Sequence, residues 1–339
     1  MIDAGVHMRA EIAEAPSVFA RSVVGAVSPA AAAALTALDL NAARAFYTIA
    51  RGSSDAAANI LAYEFMRETG KPMTSLPPSI FSVGRGVDMT GSVSLIVSQS
   101  GASEDLVRSA RGVKAAGGAV IGLVNVENAP VADACDVVLP LGAGPERAVP
   151  ATKSVIGAIA AGMALLGALR PDYAQRAATA AASVAMLAGR SHPQAKAIVS
   201  ALLRARHVYV IGRDTGYGAA QELALKLKEC CALHAEAYSS SEVLHGPLQL
   251  VTNPLLILIL DTDQRDVQPS LDTAEARFRS AGGTVFRLRP SDVGTAGLTP
   301  AAAAAALLCL TYPLALETAL ALGHDPDSPA TLSKVTQTT

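Results

Sequence analysis

Short runs of apolar, largely β-branched residues alternate with longer alanine- and leucine-rich stretches along this chain. In the first half the short runs fall at 45–50, 92–97, 119–124 and 136–139, and most lead through a turn or polar stretch into a helical segment. In the second half they fall at 207–211, 255–260 and 284–288. A continuous apolar run bounded by turns reads as a strand buried on both faces, and its alternation with helices predicts a parallel sheet covered on both sides. The stretch 8–27 reads as a helix interrupted near Pro16, because proline removes a helical hydrogen bond.

The two halves share landmarks. "IARGSS", ending at Ser54, has its counterpart in "VIGRDTG", ending at Gly216, and "AAGGAV" at 115–120 in "SAGGTV" at 280–285. The offset is about 160 residues throughout, the mark of a duplicated α/β unit. We expect a helical segment at 1–30, a first domain at 31–170, a helical connector at 171–195, a second domain at 196–325 and a tail at 326–339 laid over the domains.

Composition narrows the class. Half of the residues are apolar and 17% are charged, which suits a packed globular protein. A net charge of -2 gives no footprint for nucleic acid or an anionic membrane. Residues 1–22 include Asp3, Glu11 and Glu14 and do not read as a signal peptide. The apolar stretch 155–169 is too short to span a bilayer. The four cysteines, Cys135, Cys230, Cys231 and Cys309, include no CxxC pair and read as buried thiols of a reducing compartment. The expectation is a cytoplasmic protein with no membrane or nucleic-acid partner.

The halves differ where chemistry would sit. After its second apolar run the first half carries Ser98-Gln99-Ser100-Gly101-Ala102-Ser103, leading into Glu104 and Asp105. The run reads as a strand-to-helix turn with Ser103 at the N-cap, where hydroxyls, main-chain N–H groups and the helix dipole favour an anion. The loop contains no lysine or arginine, so the cradle reads as neutral. A second turn, Arg51-Gly52-Ser53-Ser54-Asp55, follows the preceding run and belongs at the same carboxyl edge of the sheet. At the place of the serine loop the second half has Asp261-Thr262-Asp263, which repels phosphate. There is no GxxxxGK[ST], GxGxxG or GxSxG motif.

In the second half, 221–229 is helical by pattern and aligns Glu222, Lys226 and Glu229 on one face. Alone, this reads as a solvated ion-pair stripe. The segment that follows concentrates His234, Glu236, Glu242 and His245. His234 reads equally as a buried core histidine or a catalytic one. No metal-ligand spacing is present, and neither a metal nor a cofactor is expected.

These motifs carry a resemblance. "SQSGASED", "ALKLKECCALHAEAYSSSEVLHGPLQL" and "LSKVT" occur in one order over nearly the whole chain. The chain resembles the double sugar-isomerase (SIS) domain proteins, in particular the isomerase half of glutamine–fructose-6-phosphate amidotransferases and the SIS-type glucosamine-6-phosphate deaminases. The resemblance implies an α/β fold of two tandem three-layer αβα sandwiches with parallel sheets, an N-terminal helix and a C-terminal loop. It implies a sugar-phosphate grip at Gly52, Ser53, Ser54, Ser98, Gln99, Ser100 and Ser103, with Val149 and Ser333 at the substrate. Glu229 matches the base for a proton shift between C1 and C2. Lys334 matches a Schiff-base lysine and Lys226 a tuning lysine. His245 matches a ring-opening histidine reaching in from the neighbouring subunit of a homodimer. The amidotransferases also begin with a glutaminase half whose N-terminal cysteine is the nucleophile; the first cysteine here is Cys135, so that activity is not expected. Pro150 and Ala151 also depart from the amidotransferase pattern and bear on the shape of the sugar pocket.

The expected function is conversion of glucosamine 6-phosphate to fructose 6-phosphate and ammonia. The alternatives are an aldose–ketose isomerase or a fructosamine-phosphate deglycase, and, in another class, a non-catalytic sugar-phosphate sensor.

Overall fold

The computed structural model describes residues 4–334. Helices α1 (Val6–Gly25) and α2 (Pro29–Ala37) lead into a five-stranded parallel sheet. Its strands are β1 (Ala45–Ile49), β2 (Met73–Ser75), β3 (Ser92–Ser98), β4 (Ala119–Val124) and β5 (Val137–Pro140), in the order β2-β1-β3-β4-β5. The helices between them are α3 (Gly52–Thr69), α4 (Ser79–Ser82), α5 (Glu104–Ala115) and α6 (Pro130–Ala134). Helices α7 (Lys153–Leu169), α8 (Pro171–Ala185) and α9 (Ala195–Leu202) come next. The second sheet contains β6 (His207–Gly212), β7 (His234–Ser239), β8 (Leu255–Leu260) and β9 (Thr284–Leu288), all parallel, in the order β7-β6-β8-β9. Helices α10 (Thr215–Cys231) and α11 (Gln268–Ser280) cross over within it, and α12 (Pro300–Ala321) follows.

The α/β class with two parallel sheets is therefore as expected. The strand orders are the same apart from the extra edge strand β5, which is the structural counterpart of the paired sequence landmarks. Central strands β3 and β8 are buried along their whole length; β8 is an unbroken apolar run, and in β3 the apolar residues are interrupted only by small serines.

Two strands and one helix differ from expectation. β2 is three residues long, too short to give a period. β7 is an edge strand that is mostly half-buried and polar, and it reads as loop in the sequence. α1 runs unbroken through Pro16. Its buried face, which includes Met8, Ile12, Ala15 and Phe19, packs on α7 and α8 and offsets the one hydrogen bond that proline removes. The N-terminal and tail segments expected at 1–30 and 326–339 extend beyond the described residues, at 1–3 and 335–339.

The halves meet through α3, α10 and α12. α3 and α10 run antiparallel: Ile60 lies against Gly218, Asn59 donates to Gln221 at 2.9 Å, and Gly52 faces Leu225. Gly218 permits the close approach, since a Cβ there would sit 2.9 Å from the Ile60 backbone nitrogen. This crossing brings the far end of α10 to the first turn of α3. α12, not the stretch at 155–169, is the one single helix among the described residues long and apolar enough to cross a membrane; 83% of its apolar window is buried inside the fold.

The tail is tied back to the start of the chain. The Asp327 carboxylate accepts from the His7 and Met8 N–H groups at 2.8 and 2.7 Å, capping α1, and the Asp327 carbonyl accepts from Val149 N–H at 3.1 Å. This places Leu332, Ser333 and Lys334 over the first sheet.

Candidate active site

β1 and β3 are neighbours in the first sheet, and the chain leaves them in opposite directions, toward β2 and toward β4. That divergence opens a crevice beyond their carboxyl ends, where open α/β sheets take ligands. A cavity of about 340 Å³ lies there. Its wall includes Gly52, Ser53 and Ser54 from the start of α3, Ser98, Gln99, Ser100 and Ser103 from the loop after β3, and Val149. Glu229 comes from the end of α10, and Ser333 and Lys334 come from the tail. Eleven residues expected at a substrate site thus share one cavity.

The serine loop is built to donate. The Ser98 hydroxyl accepts from Gly101 N–H at 3.0 Å and the Ser100 hydroxyl from Ala102 N–H at 3.3 Å. Each hydroxyl has one proton, which these bonds leave available for a ligand. Ser103 is the N-cap of α5, but its side chain makes no capping bond, so its hydroxyl also faces the cavity. Gly101 has φ +65°, and a Cβ there would lie 2.6 Å from the Ala129 Cβ. Only glycine fits that turn.

The loop itself carries no charge, as expected, but charged side chains from elsewhere also line the cavity. Arg51 lines it, half-exposed, and pairs at 2.8 Å with Asp105, whose side chain is fully buried at the start of α5. The pairing spans 54 positions and has no local pattern in the sequence. Lys334 brings a second cation. Its Nζ donates to the Ala148 carbonyl at 2.6 Å and to Glu146 Oε2 at 3.2 Å. Glu146 is buried and also accepts from Thr152 N–H, Ser154 N–H and the Ser154 hydroxyl. It braces the entry to α7 and the lysine together, a role its sequence context does not reveal.

The stripe on α10 is buried, contrary to the solvated reading. Glu222 and Lys226 are fully buried between α3 and α12, while Glu229 reaches the cavity. Lys226 Nζ bonds to Glu229 Oε2 and stands 3.7 Å from Glu222 Oε1. The Tyr312 hydroxyl donates to Glu222 at 3.1 Å. Burial pushes the Glu222 carboxyl up to about 7, against the opposing pull of Lys226, with the nearby Glu229 raising it further. Burial alone would lower the Lys226 ammonium, but Glu222 and Glu229 outweigh it and hold the charge on the amine. Buried ion clusters are poor stabilisers, since each charge loses several kcal/mol of solvation. One that ends on a cavity-facing carboxylate reads as chemical equipment.

His245 is exposed in the 3-10 stretch Glu242–His245 and does not line this chain's cavity. His234 is neither a core residue nor near the cavity. It is exposed at the amino end of β7, with its ring edge-on to His207 at 5.7 Å. The concentration of titratable groups after α10 therefore does not converge. The cysteines are all unpaired; Cys230, Cys231 and Cys309 are buried, whereas Cys135 is only partly so. Among the described residues no cluster of three or more His, Cys, Asp or Glu could hold a metal.

In the second sheet the equivalent crevice is filled from within. The Asp261 carboxylate, fully buried, takes bonds from Arg287 at 2.8 Å and Arg289 at 2.7 Å, together with Gln268 and the Asp263 N–H. Burial would raise this carboxyl, but those donors, led by Arg289, outweigh it and hold it below its ordinary value. An internal carboxylate with its own arginines stands where the first half has an open loop.

Comparison with known proteins agrees with this architecture. The model of the SIS domain matches residues 39–168 and again 201–286. A glutamine–fructose-6-phosphate aminotransferase (isomerizing) of Aeropyrum pernix is 30% identical over 96% of this chain and 56% of its own length. One of Gluconobacter oxydans is 33% identical over 71% of this chain and 43% of its own. The chain spans about half the length of the curated relatives it matches. A solved chain from Silicibacter pomeroyi DSS-3, assigned by name to the phosphosugar isomerases, superposes with a TM-score of 0.83 at 29% identity, covering 95% of this chain and 99% of its own. The glucosamine-6-phosphate deaminase of Thermotoga maritima shares the fold, with a TM-score of 0.76 at 18% identity over 98% of this chain and all of its own. With two matches to one domain model, two sheets of one strand order and relatives that are sugar-phosphate enzymes by name, this chain belongs to the SIS-domain family and stands among its enzymes.

Proposed function

We propose that this chain converts an amino-sugar phosphate, with glucosamine 6-phosphate and water giving fructose 6-phosphate and ammonia. The observation that carries the reading is the shared cavity: the serine hydroxyls of two loops, a carboxylate and an amine all face one space.

The phosphate sits against Ser53, Ser54, Ser98, Ser100 and Ser103 and fixes the sugar's orientation. Glu229 takes the proton from C2 of the open-chain aldehyde and returns it to C1, while the amine nitrogen gives up one proton and the C1 oxygen takes one, leaving an imine at C2 and a hydroxyl at C1. Lys334 attacks that carbon, ammonia leaves, and water releases the ketone from the lysine Schiff base. Glu146 takes the proton that Lys334 gives up before attack. Lys226 balances the charge beside Glu229. Val149 and Ser333 line the sugar end.

His245 completes the site from a second copy of the chain, opening the ring. Its exposure outside its own cavity is what supports this arrangement. Neither a cofactor nor a metal takes part in this reading.

Purified protein given glucosamine 6-phosphate should release ammonia and form fructose 6-phosphate in equal amounts. Ammonia release undiminished in Glu229→Gln would remove the assigned base. Ketose formation from an aldose phosphate without ammonia release would move the activity to the aldose–ketose isomerases.

A further inference from the structure

We propose that Glu222 takes up a proton from solvent when a phosphate dianion enters the serine cradle, and so keeps the occupied site in charge balance. This deepens the proposed function and rests on its placing of the phosphate.

The first argument is a count of charge. Both cations on the described cavity wall already have carboxylate partners, Arg51 in Asp105 and Lys334 in Glu146. Beneath the wall, Lys226 stands between two carboxylates, Glu222 and Glu229. One ammonium against two carboxylates leaves a net negative charge in a dry region. A dianion arriving above it meets no unpaired cation among the described wall residues. Charges this close in a poorly solvated site interact strongly, so occupancy drives a proton onto the most easily protonated group.

The second argument is geometry. Glu222 is fully buried, and among the described residues no donor is bonded to its Oε2. The groups facing it are Lys226, Glu229 and the Cys230 thiol on α10, Tyr312 on α12 and Ser53 on α3. Tyr312 and Cys230 are both held neutral, because burial raises them. Ser53 is the link to the cavity, since it lines the cavity wall and its hydroxyl also lowers the Glu222 carboxyl. That hydroxyl has one proton to give. In the empty site it is turned toward the Glu222 carboxylate. With phosphate bound it donates to the phosphate, and a protonated Glu222 then donates to the Ser53 oxygen. Because burial already holds Glu222 at about 7, a modest further push carries it across neutrality.

The test is calorimetric titration of the full chain with glucitol 6-phosphate, which has no carbonyl to react. It is run near pH 7.8 in buffers of different ionisation enthalpy, where the ligand is already dianionic because its second ionisation lies at about 6. The wild type should take up on the order of half a proton per site. Glu222→Gln should bind with almost no uptake. Equal uptake in that variant would place the proton elsewhere, with Glu229 the first alternative, and would overturn the proposal. Binding to the wild type without uptake would overturn it as well. Should Glu222→Gln not fold, Tyr312→Phe decides. Removing that donor should move the pH of greatest uptake upward by about one unit, and an unchanged profile would count against Glu222. If glucitol 6-phosphate does not bind the wild type, the serine cradle itself is wrong and the inference falls with it.

Discussion

Lys334 and Glu146 are 188 positions apart in the chain and meet at 3.2 Å beside the cavity. The carboxylate is fully buried, and the amine keeps one side toward the space where a sugar would lie. In the proposed reaction this pair is the nucleophile and its proton acceptor. Glu146→Gln keeps the shape and removes the acceptor. We predict that kcat falls by about 100-fold or more. Trapping of the lysine adduct by borohydride in the presence of fructose 6-phosphate should slow in proportion. Intact mass after reduction reads the adduct, and trapping at the wild-type rate would show that Glu146 only braces the loop.

Removal of single hydroxyls from the cradle should weaken substrate binding more than it slows chemistry. Ser98→Ala, Ser100→Ala and Ser103→Ala each take away one donor to a charged group, a loss of about 1.5–3 kcal/mol. That corresponds to a rise in KM of about 10- to 100-fold. Steady-state kinetics against glucosamine 6-phosphate measures it. Ser103→Ala should leave thermal stability unchanged, because Ser103 makes no side-chain cap on α5.

Gly101→Ala should disturb both stability and binding. Its added methyl would lie 2.6 Å from Ala129 and 3.0 Å from Val124, at a left-handed φ. The loop must shift to accept it, carrying Ser100 and Ser103 with it. A lower Tm together with lost affinity for glucitol 6-phosphate is expected. Unchanged affinity would mean that the loop does not shape the cradle.

A second buried carboxyl gives a pH effect free of the ion cluster on α10. Glu64 accepts from the Tyr173 hydroxyl at 2.8 Å and from Ala301 N–H at 3.3 Å, under the start of α12. Burial pushes it up to about 7, against the lowering effect of those donors. A raised carboxyl means that the folded chain holds more protons than the unfolded one between the ordinary carboxylate range and about pH 7. The stability it contributes is complete at low pH and is lost as pH rises through that window. The loss is roughly 3 kcal/mol. Glu64→Gln should therefore flatten the fall in Tm between pH 5 and 8. Thermal melts across that range check this, and a parallel fall in both proteins would assign the effect to other groups.

Much of this architecture was legible in the chain. The apolar runs that became β1, β3, β4, β5, β6, β8 and β9 stood out because strands of a covered parallel sheet are rich in apolar residues on both faces. β7 did not, because its buried face offers only the small side chains of Ala235 and Ala237, while His234, Glu236 and Tyr238 alternate with them. Pro16 misled because its cost is local, whereas the packing that offsets it comes from α7 and α8, more than a hundred residues away. In the site, the serine loops were visible as motifs. The burial of Glu222 and Lys226 was not, since an ion stripe on a helix looks the same whether solvent or another helix faces it. The partners that complete the cavity, Asp105 for Arg51 and Glu146 for Lys334, depend on contacts across the fold that no local spacing encodes.

The most direct test of the account is a crystal structure with glucitol 6-phosphate bound. The phosphate should lie within hydrogen-bond distance of the hydroxyls of Ser98, Ser100 and Ser103, with the Glu229 carboxylate against C1 and C2 and the Lys334 amine within reach of C2. A phosphate bound away from the serine loop, or a Glu229 side chain turned out of the cavity in every copy, would contradict it.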